Sequence, residues 1–198
     1  MKKIKEILVG TNNIGKYKEI CDLLPKEVIK YSPKEFKILT PEETGESFEE
    51  NSFLKASYFS KKTNLICLSD DSGLEIDLLD GAPGIYSSRW SGKKNNFDLA
   101  IKKIFKEMDK KKKDWIKVNN ARFVCCITLY WPNGKNFSSQ GIINGKISPR
   151  KKGINGFGYD PIFIPNGYKK TFGEMDIKLK MSIDHRFKSF KKIKFFFT

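Results

Sequence analysis

Two adjacent carboxylates, Asp70 and Asp71, stand in the middle of an otherwise apolar stretch, with Leu65-Ile66-Cys67-Leu68 before them and Leu74-Glu75-Ile76-Asp77-Leu78 after them. A short apolar run, a Ser72-Gly73 turn signal and then alternating apolar and acidic residues predict two strands with the acids at the break between them. Asp is an ordinary turn residue, and a solvated turn would account for the pair by itself. The chain, however, carries a formal charge of +15. In so basic a protein, a bound divalent cation or a cluster of basic side chains is the other reason to keep two acids side by side.

The residues around this centre alternate strand and helix signals. Residues 4–9 form an apolar first strand that ends at Gly10-Thr11-Asn12-Asn13, and residues 14–24 carry Ile20, Leu23 and Leu24 at helical spacing until Pro25 stops the helix. A strand, a polar turn and a helix N-terminus offer free N–H groups to a phosphate, and Lys16 in the first turn adds a mobile charge. Asn13 acting only as a helix cap explains the same residues. Residues 27–31 read as a second strand. Thr40-Pro41-Glu42-Glu43-Thr44-Gly45 is an acidic turn, and Ser47-x-x-Glu50 is a capping box that starts a helix running to about residue 61, with Asn51 and Lys55 on one face. Glu42 or Glu43, if brought near Asp71, would make an oxygen-rich site for a hard cation such as Mg²⁺.

Beyond the acids, Gly81-Ala82-Pro83-Gly84 is a turn, and Asn96 caps a helix with an apolar stripe of Phe97, Ile101, Ile104, Phe105 and Met108. Lys110-Lys111-Lys112-Lys113 reads as a solvated loop. Residues 121–131 and 135–147 are two long strands joined at Pro132-Asn133-Gly134. Gly156-Phe157-Gly158-Tyr159-Asp160 places glycines around two aromatics and an acid, which suits either a turn or the close approach of a flat ligand. The sole histidine lies in Lys180-Met181-Ser182-Ile183-Asp184-His185-Arg186. Read locally, Arg186 caps or pairs at the start of the last helix.

Composition narrows the classes. With 198 residues and 39% hydrophobic content, the chain is expected to fold as one domain over residues 1–198. No apolar run is long enough to span a membrane and no leader is recognised, so a soluble cytoplasmic protein is expected. Cys21, Cys67, Cys125 and Cys126 lack metal-ligand spacing, so reduced, buried thiols are expected and a zinc site is not, and with a single histidine and no Gly-x-Ser-x-Gly, serine-type hydrolysis is not expected. Arg occurs only at positions 89, 122, 150 and 186, and the other basic residues are lysines spread along the chain. Nucleic-acid modules concentrate Arg, Lys and aromatics on one face, so nucleic acid is not the expected partner.

Taken in order, Thr11-x-Asn13-x-x-Lys16, Glu42-Glu43-Thr44-Gly45, Asn51 with Lys55-Ala56, Asp70-Asp71-Ser72-Gly73-Leu74, Gly81-Ala82-Pro83-Gly84, Gly156-Phe157-Gly158-Tyr159-Asp160-Pro161 and His185-Arg186 resemble the inosine triphosphate pyrophosphatase family. The resemblance runs from Ile7 to about Lys188. It implies an α/β fold, an elongated two-lobed single domain around a long central mixed β-sheet flanked by helices. It also implies a homodimer that uses Mg²⁺, with Mn²⁺ as a substitute, to hydrolyse ITP, dITP and XTP to the monophosphate and pyrophosphate, cleansing the nucleotide pool. Asp71 would then be base and metal ligand, Glu42 or Glu43 the second metal ligand, and Lys16, Lys55, Ser72 and Lys180 the triphosphate contacts, with Thr11 and Asn13 at the same junction. Phe157, Gly158, Tyr159, Asp160, His185 and Arg186 would form the base pocket, Arg186 and His185 donating to a 6-oxo oxygen. The sequence departs from the family at Asn12, where Gly is common, and at Asp184, where Ser usually precedes His-Arg. A Maf-like nucleotide pyrophosphatase of different base preference and a basic RNA-binding module are the rival readings.

Overall fold

The computed structural model describes residues 3–92 and 96–198. Its six strands are β1 (Glu6–Val9), β2 (Ile29–Tyr31), β3 (Cys67–Ile76), β4 (Asn120–Tyr130), β5 (Asn136–Ile147) and β6 (Phe163–Pro165). They form one sheet in the order β2-β1-β3-β4-β5-β6. The sheet is mixed: β1 runs parallel to β2 and β3, whereas β5 and β6 are antiparallel. The helices are α1 (Ile14–Leu23), α2 (Phe48–Thr63), α3 (Phe97–Lys111), α4 (Ile177–Ile183) and α5 (His185–Lys191). No described helix is long and apolar enough to cross a membrane, and no disulfide joins the four cysteines.

The chain divides into two compact units. In the first, residues 1–71, 125–141 and 185–198, strand alternation sorts the helices onto opposite faces. Ile7, Val9 and Leu68 share a buried cluster with Ile20 of α1 and Phe190 of α5. Leu8 and Cys67, one residue out of phase, pack instead with Ala56 and Phe59 of α2. The second unit, residues 72–124 and 142–184, buries Ile101, Ile104 and Met108 of α3 against Leu74, Ile76, Phe123, Phe163 and Phe172. Ile101, Ile104 and Met108 of the predicted α3 stripe are therefore core, and Phe97 and Phe105 are partly buried against it.

Four local expectations change. β3 is one continuous strand through Asp70 and Asp71, with no break at Ser72-Gly73. Pairing within the sheet outweighs the local turn preference of Ser and Gly. Lys110 and Lys111 are the last turn of α3, not loop, and only Lys112 and Lys113 lie beyond the helix. Ser47 caps α2 by accepting from the Glu50 N–H at 3.1 Å, but the Glu50 carboxylate accepts from Glu46 N–H at 2.7 Å, one residue earlier than a capping box requires. Asn12 does not adopt a positive φ, so its place in a Gly position costs no left-handed strain. Its amide donates to Thr40 Oγ1 at 2.8 Å.

Candidate active site

The site in the first unit is built where β1 ends. Gly10 donates to Leu68 O at 2.8 Å, and a Cβ on it would lie 2.2 Å from Ser69 Oγ and 2.6 Å from Cys67 Sγ. Only glycine lets the chain turn this close to β3. Thr11 follows, buried, and its hydroxyl accepts from Asn13 N–H at 3.2 Å. Asn13 then caps α1 by accepting from the Lys16 N–H at 3.1 Å. The first turn of α1 aims Lys16 at the acids of β3: its Nζ is 3.4 Å from Asp70 Oδ2 and 4.0 Å from Asp71 Oδ1.

Strand alternation gives each acid its own partners. Asp70 shares the face of Leu68, toward α1 and α5, and there Arg186 Nη2 and Nε donate to its Oδ2 at 3.0 and 3.3 Å. The same guanidinium pairs through Nη1 with Glu19, one turn beyond Lys16 on α1. Asp71 shares the face of Cys67, toward α2, and Lys55 Nζ lies 3.5 Å from its Oδ1. Lys55 also pairs with Glu43. What brings Glu43 there is Asn51, whose Oδ1 accepts from Gly45 N–H at 2.8 Å and straps the acidic turn to α2. Glu42 is exposed, so Glu43 is the acid of the turn that reaches the cluster.

The two acids titrate apart. Burial alone would raise the carboxyl pKa of Asp70, which is fully buried, but Lys16, Arg186 and Lys55 together hold it well below the usual carboxylate range. Burial wins at Asp71, helped by the negative charges of Glu43 and Asp70, and its pKa rises despite Lys55 and Lys16. Lys55, itself desolvated, has its pKa raised by Asp71, Glu43 and Asp70 and stays an ammonium. Glu43 is lowered, because Lys55 and Lys16 outweigh burial. Neighbouring acids whose environments separate their pKa values divide into a fixed charge and a group able to handle a proton. Asp70 has the environment of a fixed charge, and the pKa of Asp71 moves the other way.

In the second unit, Asp160 accepts from Lys180 Nζ at 2.7 Å and from Phe157 N–H at 2.9 Å. The Lys180 ammonium also lies over the Phe157 and Phe172 rings, 5.1 and 5.7 Å from their centroids. Gly156 holds φ +72°, and a Cβ there would meet Asp160 Oδ2 at 2.0 Å, so the glycine is what lets the loop close on this acid. Gly158 also has a positive φ. Lys180, expected on a triphosphate, is thus committed to Asp160 and buried. Tyr159, expected near a base, is a core residue: its hydroxyl donates to Ser87 O at 2.8 Å and its ring meets Phe97 edge-on. Ser72 is half-buried on β3, and His185 and Asp184 are buried.

Sequence reading expected a basic cluster around Asp70 and Asp71 but gave Asp70 no role of its own, and it missed Glu19. Glu19 stands three residues after Lys16, hence on the same face of α1, which was the one available signal.

The first unit is therefore an α/β scaffold that brings Lys16, Lys55 and Arg186 together with Glu19, Glu43, Asp70 and Asp71, just beyond the end of β1 and along the middle of β3. The chain belongs to the Ham1 family, whose model matches residues 7–196. It is 41% identical over 187 residues to a dITP/XTP pyrophosphatase of Oceanobacillus iheyensis, covering 92% of this chain and 93% of that one. A dITP/XTP pyrophosphatase of Rhodospirillum centenum is 39% identical over 188 residues, covering 94% and 92%. Among solved structures, a HAM1 protein from Coxiella burnetii superposes with a TM-score of 0.86 at 34% identity, covering 97% of this chain and 98% of that one. The Staphylococcus aureus Ham1 protein gives 0.84 at 34% identity, covering 97% of each.

Proposed function

We propose that this chain hydrolyses the non-standard purine nucleoside triphosphates ITP, dITP and XTP to the monophosphate and pyrophosphate, and so clears them from the nucleotide pool. The observation that carries the reading is the Lys16–Lys55–Asp70–Asp71 cluster, in a chain that full-length relatives named for this activity match. A triphosphate is a polyanion, and two held ammonium groups neutralise charge as it develops on the bridging oxygen. Asp71, with its raised pKa, orients the attacking water and accepts its proton. Asp70 is the positioning residue that holds Lys16 and Arg186 in place.

The donor set suits a hard divalent cation. Asp71 Oδ2 is buried without a hydrogen-bond partner, and Glu43 converges on the same Lys55. Among the described residues no group of three or more His, Cys, Asp or Glu forms a metal cage. Mg²⁺ is commonly held by one or two carboxylates, with water and phosphate oxygens completing its shell. Asp71 and Glu43 would hold it, and Mn²⁺ could replace it. When bound, such an ion adds charge stabilisation on the phosphate oxygens.

In the second unit, Asp160 with Lys180 fixes the loop that carries Phe157. Arg186, oriented by Glu19 and Asp70, and the adjacent His185 donate to the 6-oxo oxygen of hypoxanthine or xanthine. Adenine presents an amino group there, leaving donor facing donor. The enzyme works as a cytoplasmic homodimer in this reading.

The test is pyrophosphate release from ITP, dITP, XTP, GTP and ATP with Mg²⁺, with and without chelator. Turnover of the first three well above ATP, lost in chelator, is expected. Release from none of them, or a preference for ATP, overturns the assignment.

A further inference from the structure

The second unit carries a surface that the hydrolytic chemistry does not use. Lys102, Lys106 and Lys110 recur every four residues along α3 and, with Phe105 and Asp109, line a surface cavity of about 530 Å³. Like charges four apart on a helix repel one another and weaken it. Lys110 is offset by Glu107 at 2.8 Å, but neither Lys102 nor Lys106 makes an ion pair among the described residues. Asp109, the one acid in the lining, is occupied: it accepts from Trp115 Nε1 at 2.7 Å. That bond fixes Trp115 against the Phe105 ring, the two stacked with centroids 6.0 Å apart and planes 14° apart. The same helix sets Lys103 over Trp90, 4.1 Å from the ring centroid.

The Lys110–Lys113 run has no aromatic until Trp115, but Phe105 already stands between Lys102 and Lys106 in the sequence, and the helix sets all three on one face with Trp115 stacked against the ring. Regularly spaced cations beside a rigid aromatic face are the means by which proteins hold single-stranded nucleic acid, lysines on phosphates and rings on bases. We propose that the outer face of α3 binds single-stranded nucleic acid, with Lys102, Lys106 and Lys110 on the phosphates and Phe105 against a base. None of these residues belongs to the carboxylate and lysine cluster of the first unit, so this binding is a separate function of the chain.

The experiment is fluorescence anisotropy of a labelled oligothymidylate of about twenty nucleotides across a salt series. Replacing Lys102, Lys106 and Lys110 by Ser should weaken binding at least about tenfold and reduce the slope of log K against log salt by about 2, given roughly 0.7 per phosphate contact on a single strand. Replacing Lys61, Lys62 and Lys5 by Ser removes the same charge elsewhere and should leave both nearly unchanged. Phe105→Leu keeps apolar volume but removes the ring, and should weaken binding by about fivefold or more. ITP turnover should stay at the wild-type level in every variant. The proposal fails if the oligonucleotide does not bind, or if both triple variants weaken it equally, since the charge is then diffuse. It fails equally if Phe105→Leu binds normally and inorganic polyphosphate of matched charge competes as well as the oligonucleotide, since the face is then a general anion surface.

Discussion

Asp70→Asn removes one charge from the most buried point of the cluster while keeping the shape of the side chain. Asp70 Oδ2 faces Arg186 Nη2 at 3.0 Å and Lys16 Nζ at 3.4 Å, with no exposure to solvent. At an effective dielectric of about 20, these pairs are worth roughly 5.5 and 5 kcal/mol before the cost of desolvating the ions is subtracted. Breaking a buried pair from one side leaves a net loss of about 3–5 kcal/mol, because the cations stay behind. For a chain of this length each kcal/mol moves the melting temperature by about 2–4 °C, so Asp70→Asn should lower it by roughly 6–20 °C at neutral pH. The assay is thermal unfolding of the metal-free protein, wild type against variant, from pH 3 to pH 8. The carboxyl of Asp70 titrates below the usual range in the folded chain. Its contribution is therefore complete above the unfolded value of about 3.9 and fades as pH falls toward the folded one. The gap between the two proteins should be constant from about pH 5 to 8 and narrow below about pH 4. A variant melting within about 3 °C of wild type at pH 7, or a gap that widens in acid, would refute the view of Asp70 as the buried anchor of two cations.

Asp71→Asn should leave the melting temperature close to wild type and lower kcat by about 10²-fold or more, since it removes the group that orients water; near-normal turnover of ITP takes Asp71 out of the mechanism. Lys16→Ala should raise KM for ITP, XTP and dITP alike, because a lysine at a helix N-terminus meets phosphate and not base; a loss confined to one base contradicts its placement. Gly10→Ala should cost about 1–3 kcal/mol in denaturant unfolding, as its Cβ would overlap Ser69, Cys67 and Phe59; an unchanged midpoint means the turn can shift. Arg186→Lys keeps a cation near Asp70 but loses the planar fork, so kcat/KM for ITP relative to ATP should fall by about tenfold or more; an unchanged ratio shows that Arg186 does not read the base.

Features set by neighbours in the chain were readable beforehand. The β1–Asn13–Lys16 junction, the Ser47 cap and the α3 stripe each depend on residues within a few positions of one another. What escaped depends on distance along the chain. Arg186 meets Asp70 across 116 positions and Glu19 across 167, and no local pattern announces either pairing. Read locally, Arg186 pairs at the start of the last helix; its partners could come only from the fold. The choice between Glu42 and Glu43 was equally hidden, since Asn51 decides it by binding the backbone of Gly45 from inside a helix. The supposed break at Ser72-Gly73 came from weighing turn propensity without the pairing that holds β3 straight.

The adjacency of Asp70 and Asp71 follows from the same geometry. Successive residues of a strand face opposite ways, so two acids in a row reach two separate sets of cations, one on α1 and α5 and one on α2. Lys16 reaches both, 3.4 Å from Asp70 Oδ2 and 4.0 Å from Asp71 Oδ1, from the first turn of α1 just after β1 ends. One acid can then be pinned as a permanent charge while its neighbour keeps a raised pKa, although their Cα atoms are only about 3.8 Å apart. The arrangement depends on register: a one-residue slip of β3 would turn Asp71 toward Arg186 and Asp70 toward Lys55, and would move Leu68 out of one core and Cys67 out of the other. The apolar residues leading into β3 therefore decide which of the two acids is pinned by Arg186 and which faces Lys55.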